Sequence, residues 1–132
     1  MKSVSGAFRV VFVAAIIAVA GLAHTAWAST PFSEAVFKAA QASGAPILVE
    51  IHADWCPTCK AQAPIIGELT AQPQFKNLKV FRVDFDAQKA DVRKLGAQAQ
   101  STLIVFKGGS EVGRSVGDTR RDSIAALLDK TL

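Results

Sequence analysis

The stretch Ile47-Leu48-Val49-Glu50-Ile51-His52-Ala53 constrains the chain most. It is short, dense in apolar and β-branched residues, and interrupted by one acid. That pattern predicts a strand buried on both faces of a sheet. Two cysteines follow at once, in Cys56-Pro57-Thr58-Cys59, ahead of a helical pattern from about Pro57 to Ala71 with Ile65, Ile66 and Leu69 inward. Strand, tight turn and helix therefore place Cys56 at a helix N-terminus. Unpaired N–H groups and a partial positive charge collect there. They stabilise a thiolate, so the Cys56 thiol is expected to ionise below the free value of about 8.5. Cys59 lies one turn further in and is expected to be more buried. Such a pair suits two-step exchange, in which one thiolate attacks a disulfide and its neighbour resolves the mixed disulfide. A structural bridge and a metal site are the competing readings of the isolated pair. The bridge would close a tiny loop and gain little chain entropy. A structural zinc needs four ligands, and two cysteines with His52 fall short.

The rest of the chain reads as alternating elements. Thr30-Pro31 is expected to open the first helix, with Phe32, Val36, Ala39 and Ala40 on one face. Pro64 falls inside the second helix and is expected to kink it. Lys79 to Phe85 alternates, with Phe81, Val83 and Phe85 on one side. A short helix is expected around Ala87 to Leu95. Thr102 to Lys107 is a second dense strand, Gly108-Gly109 a hairpin turn, and Glu111 to Val116 the returning strand. Thr119-x-x-Asp122 has the form of a capping box for a last helix carrying Ile124, Leu127 and Leu128. The order αβαβαββα predicts an α/β fold, a mixed sheet with helices on both faces.

Residues 1–28 read as a secretory signal peptide. Lys2 and Arg9 give a positive front, Val10 to Ala23 is an uncharged apolar run, and Ala26-Trp27-Ala28 offers a small-x-small cleavage pattern. At 1.5 Å per residue the run reaches about 21 Å, short of a hydrocarbon core of about 30 Å. The alternative is an uncleaved segment that tethers the domain to a membrane. Residues 29–132 then form one domain of 104 residues, enough to bury a core without staples. An exported chain meets an oxidising compartment of the periplasmic kind, where disulfides persist. Without Lys2 and Arg9 the charge balance is 13 basic to 11 acidic residues. That balance, with no basic stripe, argues against nucleic acid as a partner.

The segment Ala53-Asp54-Trp55-Cys56-Pro57-Thr58-Cys59-Lys60, with Pro64 beyond it, resembles the active-site segment of the thioredoxin family. The likeness extends through Thr102-Leu103-Ile104-Val105-Phe106-Lys107-Gly108-Gly109 to Gly117 and the closing helix. It implies a thioredoxin-like fold, here with a four-stranded sheet, because the family's first strand has no room before the first helix. It implies Cys56 as attacking thiol, Cys59 as resolving thiol and a Cys56–Cys59 disulfide in the oxidised state. Trp55 borders the substrate groove, with Pro57, Thr58 and Lys60 supporting the site. Pro57 offers no N–H to the Cys56 sulfur, while the Thr58 hydroxyl can add a donor. Glu50 falls where the family has a buried acid that moves the resolving thiol's proton, and Arg82 where it has a basic neighbour.

Two positions depart from the family pattern. Ser101 stands where the family has a cis-proline facing the thiols, beside Thr102. Cis costs about 2.5–4 kcal/mol at a non-proline residue, so the Gln100–Ser101 bond is expected to be trans. Substrate docking at Ser101 and Thr102 is then altered, metal capture is less discouraged, and the Ser101 hydroxyl can reach a thiol. His52 stands where many relatives carry an aromatic residue. It reads as a neutral strand histidine, or in the sharper reading as a pH-sensitive group.

The resemblance implies a thiol–disulfide oxidoreductase, working as an exported reductase of protein disulfides, monomeric and not membrane-embedded. It needs no bound cofactor or metal and draws electrons from a membrane-borne thiol donor. The alternatives are a thiol oxidase or isomerase of the same fold, or a non-catalytic module that binds a metal or client proteins.

Overall fold

A computed structural model describes residues 29–132. The expected signal peptide lies outside the described residues. The elements are β1 (Thr30–Pro31), α1 (Glu34–Ala42), β2 (Pro46–His52), α2 (Pro57–Thr70), a 3-10 turn (Pro73–Phe75), β3 (Lys79–Asp84), α3 (Lys89–Lys94), β4 (Thr102–Lys107), β5 (Ser110–Val116) and α4 (Arg121–Asp129). The strands form one mixed sheet in the order β1-β3-β2-β4-β5.

β2 is central, parallel to β3 and antiparallel to β4. Its alternation divides the core. Ile47, Val49 and Ile51 point to the face covered by α1 and α3, where Phe37, Val92 and Phe106 meet them. Leu48 points to the other face, among Ile66 and Leu69 of α2 and Ile124 and Leu128 of α4. Glu50 and His52 follow Leu48 on that second face by the period of two. Burial on both sides explains why β2 carries an unbroken apolar run apart from these two residues.

The sheet has five strands, not the expected four. Thr30 and Pro31 do not open a helix; they pair parallel with Phe81 and Arg82, and the Phe32 amide continues the ladder to the Arg82 carbonyl at 2.9 Å. Pro31 is tolerated because β1 is an edge strand. The helix begins only at Glu34, after Ser33. Phe32 is buried ahead of it, its ring 5.3 Å from that of Phe37 and 6.2 Å from that of Phe81. Counting Phe32 as helical therefore shifts the inward face. Phe37 is the buried residue of α1, whereas Val36 is 50 % exposed.

The last helix also starts differently. Arg120 is its N-cap and no side-chain cap bond comes from Thr119. Asp118 takes over instead, accepting the Arg120 amide at 3.0 Å and the Ser123 hydroxyl. Hydrogen bonds from the Arg120 side chain and Ser123 hold the Asp118 carboxyl well below the usual carboxylate range. The hairpin is as expected, with Gly108 supplying the positive φ of its turn. Gly113 in β5 has a packing reason: a Cβ there would stand 2.9 Å from the Leu127 side chain.

The corrected face of α1 has a measurable consequence. Phe37→Ala is expected to cost about 3–5 kcal/mol, whereas Val36→Ala should stay within about 0.5 kcal/mol. Urea unfolding of the two variants measures the difference; equal losses would restore the face expected from sequence.

Candidate active site

The turn Ala53–Trp55 carries the chain from β2 into α2, and the Cys56 amide closes it on the Ala53 carbonyl at 3.1 Å. Cys56 is the N-cap of α2, in extended conformation, with Pro57 in the first turn. Pro57 costs no hydrogen bond there, because the first helical amides have no partner within the helix. The Cys56 Sγ accepts the Cys59 amide at 3.0 Å. Among the described residues the Thr58 hydroxyl makes no bond to that sulfur. Cys56 and Cys59 are joined by a disulfide, with their Cα atoms 5.3 Å apart. Both are buried in this oxidised state, Cys56 at 1 % and Cys59 at 4 %. Cys59 is thus not the deeper of the two, because Ala53 and Phe85 pack against the pair from the β2 side.

Glu50 and Arg82 are register partners on adjacent parallel strands. They share a sheet face, and Arg82 Nε donates to Glu50 Oε2 at 3.1 Å. The pair is desolvated at one end only: the Glu50 side chain is 8 % exposed and that of Arg82 40 %. Burial raises the Glu50 carboxyl above its ordinary 4.5, opposed by the nearby Arg82 charge and its hydrogen bond. Glu50 and Cys59 line a common crevice between β2 and α2. Its free space is about 10 Å³, the lower limit for one water.

The loop before β4 faces the pair. The Gln100–Ser101 bond is trans, and Ser101 adopts φ +59, a left-handed conformation uncommon outside glycine. Its amide donates to the Ile51 carbonyl at 2.8 Å, and its carbonyl accepts the Gly117 amide at 3.0 Å. The Ser101 hydroxyl donates to the Gln100 carbonyl at 2.5 Å and not to a sulfur. Thr102 is buried, its hydroxyl on the Ala99 carbonyl at 2.7 Å. Gln62 completes the network, a residue sequence reading missed. It is 3 % exposed, and its amide donates to the carbonyls of Ser101 at 3.2 Å and Asp118 at 2.8 Å. Its spacing from Ile66 and Leu69 was the available signal, since all three share the inward face of α2.

Trp55 and Lys60 lie at the rim. Trp55 is 57 % exposed, and its indole N–H donates to Asp86 at 2.7 Å. That bond fixes the ring across the end of the β2–α2 turn. Lys60 is exposed, and its amide makes the first helical bond, to the Cys56 carbonyl at 3.2 Å. His52 Nε2 lies 3.3 Å from an Asp54 carboxylate oxygen.

A disulfide between the N-cap and the first turn of a helix, with a buried acid beneath it, defines a redox-active thiol–disulfide site. The comparisons agree. The family model described as Thioredoxin matches residues 25–130. Thioredoxin from Chlamydia muridarum is 36 % identical over 84 residues, covering 64 % of this chain and 80 % of that protein. Thioredoxin 1 from Nostoc is 33 % identical over 90 residues, 68 % of this chain and 83 % of the relative. The crystal structure of Trxlp from Edwardsiella tarda has 46 % identity and a TM-score of 0.74, covering 76 % of this chain and 98 % of its own. The chain belongs to the thioredoxin family and is a thiol–disulfide oxidoreductase with a redox-active Cys56–Cys59 pair.

Two outcomes follow from this geometry. A raised Glu50 value means that folding takes up a proton. The stabilising contribution is full below the ordinary 4.5 and is lost as pH rises through the folded value. Glu50→Gln removes that loss, and Arg82, half-buried, keeps contact with water, so the variant should gain stability on the parent as pH rises. Urea unfolding below pH 4.5 and again at neutrality tests it; a parallel pH dependence would mean that Glu50 is not desolvated. At position 101 proline is incompatible with positive φ and has no amide for Ile51. Ser101→Pro should therefore lose at least about 1–3 kcal/mol, whereas Ser101→Gly should stay within about 1 kcal/mol of the parent. Thermal melts of both variants decide it.

Proposed function

We propose that this protein reduces protein disulfides in an exported, periplasm-type compartment, drawing electrons from a membrane-borne thiol donor. The observation that carries the reading is the sulfur at the N-cap of α2. Once reduced, Cys56 keeps the Cys59 amide and the helix terminus as thiolate-stabilising groups. Its thiolate attacks one sulfur of a substrate disulfide. A Cys56–substrate bond forms, and the other substrate sulfur leaves with the bonding electron pair. Cys59 then loses its proton, attacks Cys56 Sγ and re-forms the internal disulfide, releasing the second substrate thiolate. The substrate gains two electrons and the Cys56/Cys59 pair loses them.

Glu50 acts in the second half. It shares the crevice with Cys59, and burial raises its carboxyl above the ordinary 4.5, which makes its carboxylate a stronger base. The Arg82 charge and its hydrogen bond oppose that rise. Trp55 borders the surface on which substrate docks, and the Ser101–Thr102 loop shapes it from the other side. The reductase direction is supported by the body of the domain, which carries no inserted helical unit among the described residues. Export is supported by the charged front, apolar run and Ala26-Trp27-Ala28 pattern.

Insulin reduction with dithiothreitol as donor tests the chemistry. Cys56→Ser should abolish it, and Cys59→Ser should accumulate mixed disulfides with substrate proteins, visible on non-reducing gels. Full activity in Cys56→Ser, or no trapped species in Cys59→Ser, would overturn the assignment of roles.

A further inference from the structure

We infer that His52 carries the resolving proton between the Glu50–Cys59 crevice and bulk water. The inference rests on the reading of Cys59 as the resolving thiol and Glu50 as its base. A base enclosed with Cys59 must discharge its proton before the next cycle. The crevice is too small for a chain of waters, with about 10 Å³ of free space. Its remaining walls are hydrocarbon, the Gln62 amide, the Arg82 guanidinium and the His52 ring. The amide is committed to two carbonyls. The guanidinium does not release protons in proteins. Of these groups only the imidazole has one ring nitrogen that can accept a proton and another that can give one up.

The placement of His52 matches that task. It follows Glu50 on the same face of β2, two residues on, so their Cα atoms are separated by about 6.6 Å along the strand. Its side chain is 18 % exposed. It lines the crevice and also an open cleft of about 300 Å³ shared with Asp54, Arg82 and Asp84. His52 is therefore a wall between the enclosed site and solvent. The charged groups around it are Glu50 and Asp54 on its own segment, Arg82 and Asp84 from β3, and the Cys59 thiol from α2. Asp54 stands wholly in water and meets Nε2 at 3.3 Å. In the tautomer that donates Nε2–H to Asp54, the ring carries its lone pair on Nδ1. A proton leaving Cys59 passes to the Glu50 carboxylate and then to the ring. The ring releases one at Nε2 to Asp54 and water, and regains its neutral form. No electrons move in this relay; the Cys59 thiolate left behind makes the bond to Cys56.

Glu50 also borders a second cleft, of about 310 Å³, on the Gly67–Thr70 side of α2. Besides Glu50 its polar lining is Ser29, Thr70 and Arg82; Arg82 is fixed in charge, the Thr70 hydroxyl is bound to the Ile66 carbonyl at 2.7 Å, and no imidazole lines it. Direct exchange with water through it is the competing route.

Stopped-flow reaction of the reduced protein with dithiobis-nitrobenzoate separates the two halves. One aryl thiolate is released when Cys56 attacks and a second when Cys59 resolves. His52→Gln should leave the first phase at its parent rate and slow the second about tenfold or more near neutral pH. Added imidazole should restore the second phase, and the parent's pH dependence of that phase should be flattened in the variant. His52→Phe, which keeps a ring in the same space, should show the same defect. A second phase at the parent rate in both variants would overturn the relay in favour of exchange through the second cleft. A slowed second phase in His52→Gln that imidazole does not restore would assign His52 a packing role only, and also overturns it. Absence of any second phase in the parent would instead remove Cys59 as the resolving thiol, a failure of the underlying reading that these variants do not produce.

Discussion

Helix α2 is capped by sulfur. Most helices that use a side-chain cap use an oxygen of Ser, Thr, Asp or Asn; here the Cys56 Sγ receives the Cys59 amide. The cap and the reactive atom are the same atom, so the stability of the first turn depends on redox state. In the disulfide the sulfur is a weak, neutral acceptor. In the thiolate it presents a full negative charge to the same amide and to the positive end of the helix. The thiolate is therefore the stronger acceptor for the Cys59 amide, while in the oxidised state the disulfide itself ties the N-cap to the first turn. The rest of the fold serves to hold this turn still: β2 is packed on both faces up to Ile51, and the Ala53 carbonyl locks the Cys56 amide.

A carboxyl under that turn costs stability at neutral pH, and the way Arg82 meets it limits the cost. A guanidinium buried with Glu50 in a two-pronged pair would hold the carboxylate permanently ionised. Arg82 instead offers one Nε contact and leaves much of its side chain in solvent. Burial pushes Glu50 up and Arg82 pulls it part of the way back down. Replacing the pair with hydrocarbon would make a firmer core and remove the carboxyl that lines the crevice beside Cys59. The site thus keeps a local weakness that the apolar faces of β2 can carry.

What could be read in the sequence was local. β2, the cysteine pair, β4 and the hairpin each carry their signal within a few residues, and each stands where the pattern puts it. The features that were not legible depend on partners far along the chain. β1 exists only because Thr30 and Pro31 meet Phe81 and Arg82, and two residues have no periodicity to detect. The inward face of α1 shifted because Phe32 is buried by aromatic contacts from outside the helix. Thr119 does not cap α4, which starts after Arg120 without a side-chain cap, and Asp118 instead takes the Arg120 amide and the Ser123 hydroxyl. The Glu50–Arg82 contact was legible as a shared sheet face but not as a distance. The burial of Gln62 was legible as a helix face, while its purpose lay in two carbonyls 39 and 56 residues away.

Ser101 shows how a covalent constraint can be replaced by a network. A proline fixes its own φ through its ring and gives up an amide. Ser101 keeps the amide and spends it on Ile51, in the strand that carries Glu50. Its positive φ is not favoured by the side chain, so it must be held from outside. The Gln62 amide and the Gly117 amide hold it at the carbonyl, and the hydroxyl turns back to Gln100. Because Gln62 belongs to α2, the loop and the helix that bears the cysteines are tied together. A proline ring would set that φ by itself; here the conformation of Ser101 is held by bonds from α2 and from the Gly117 amide.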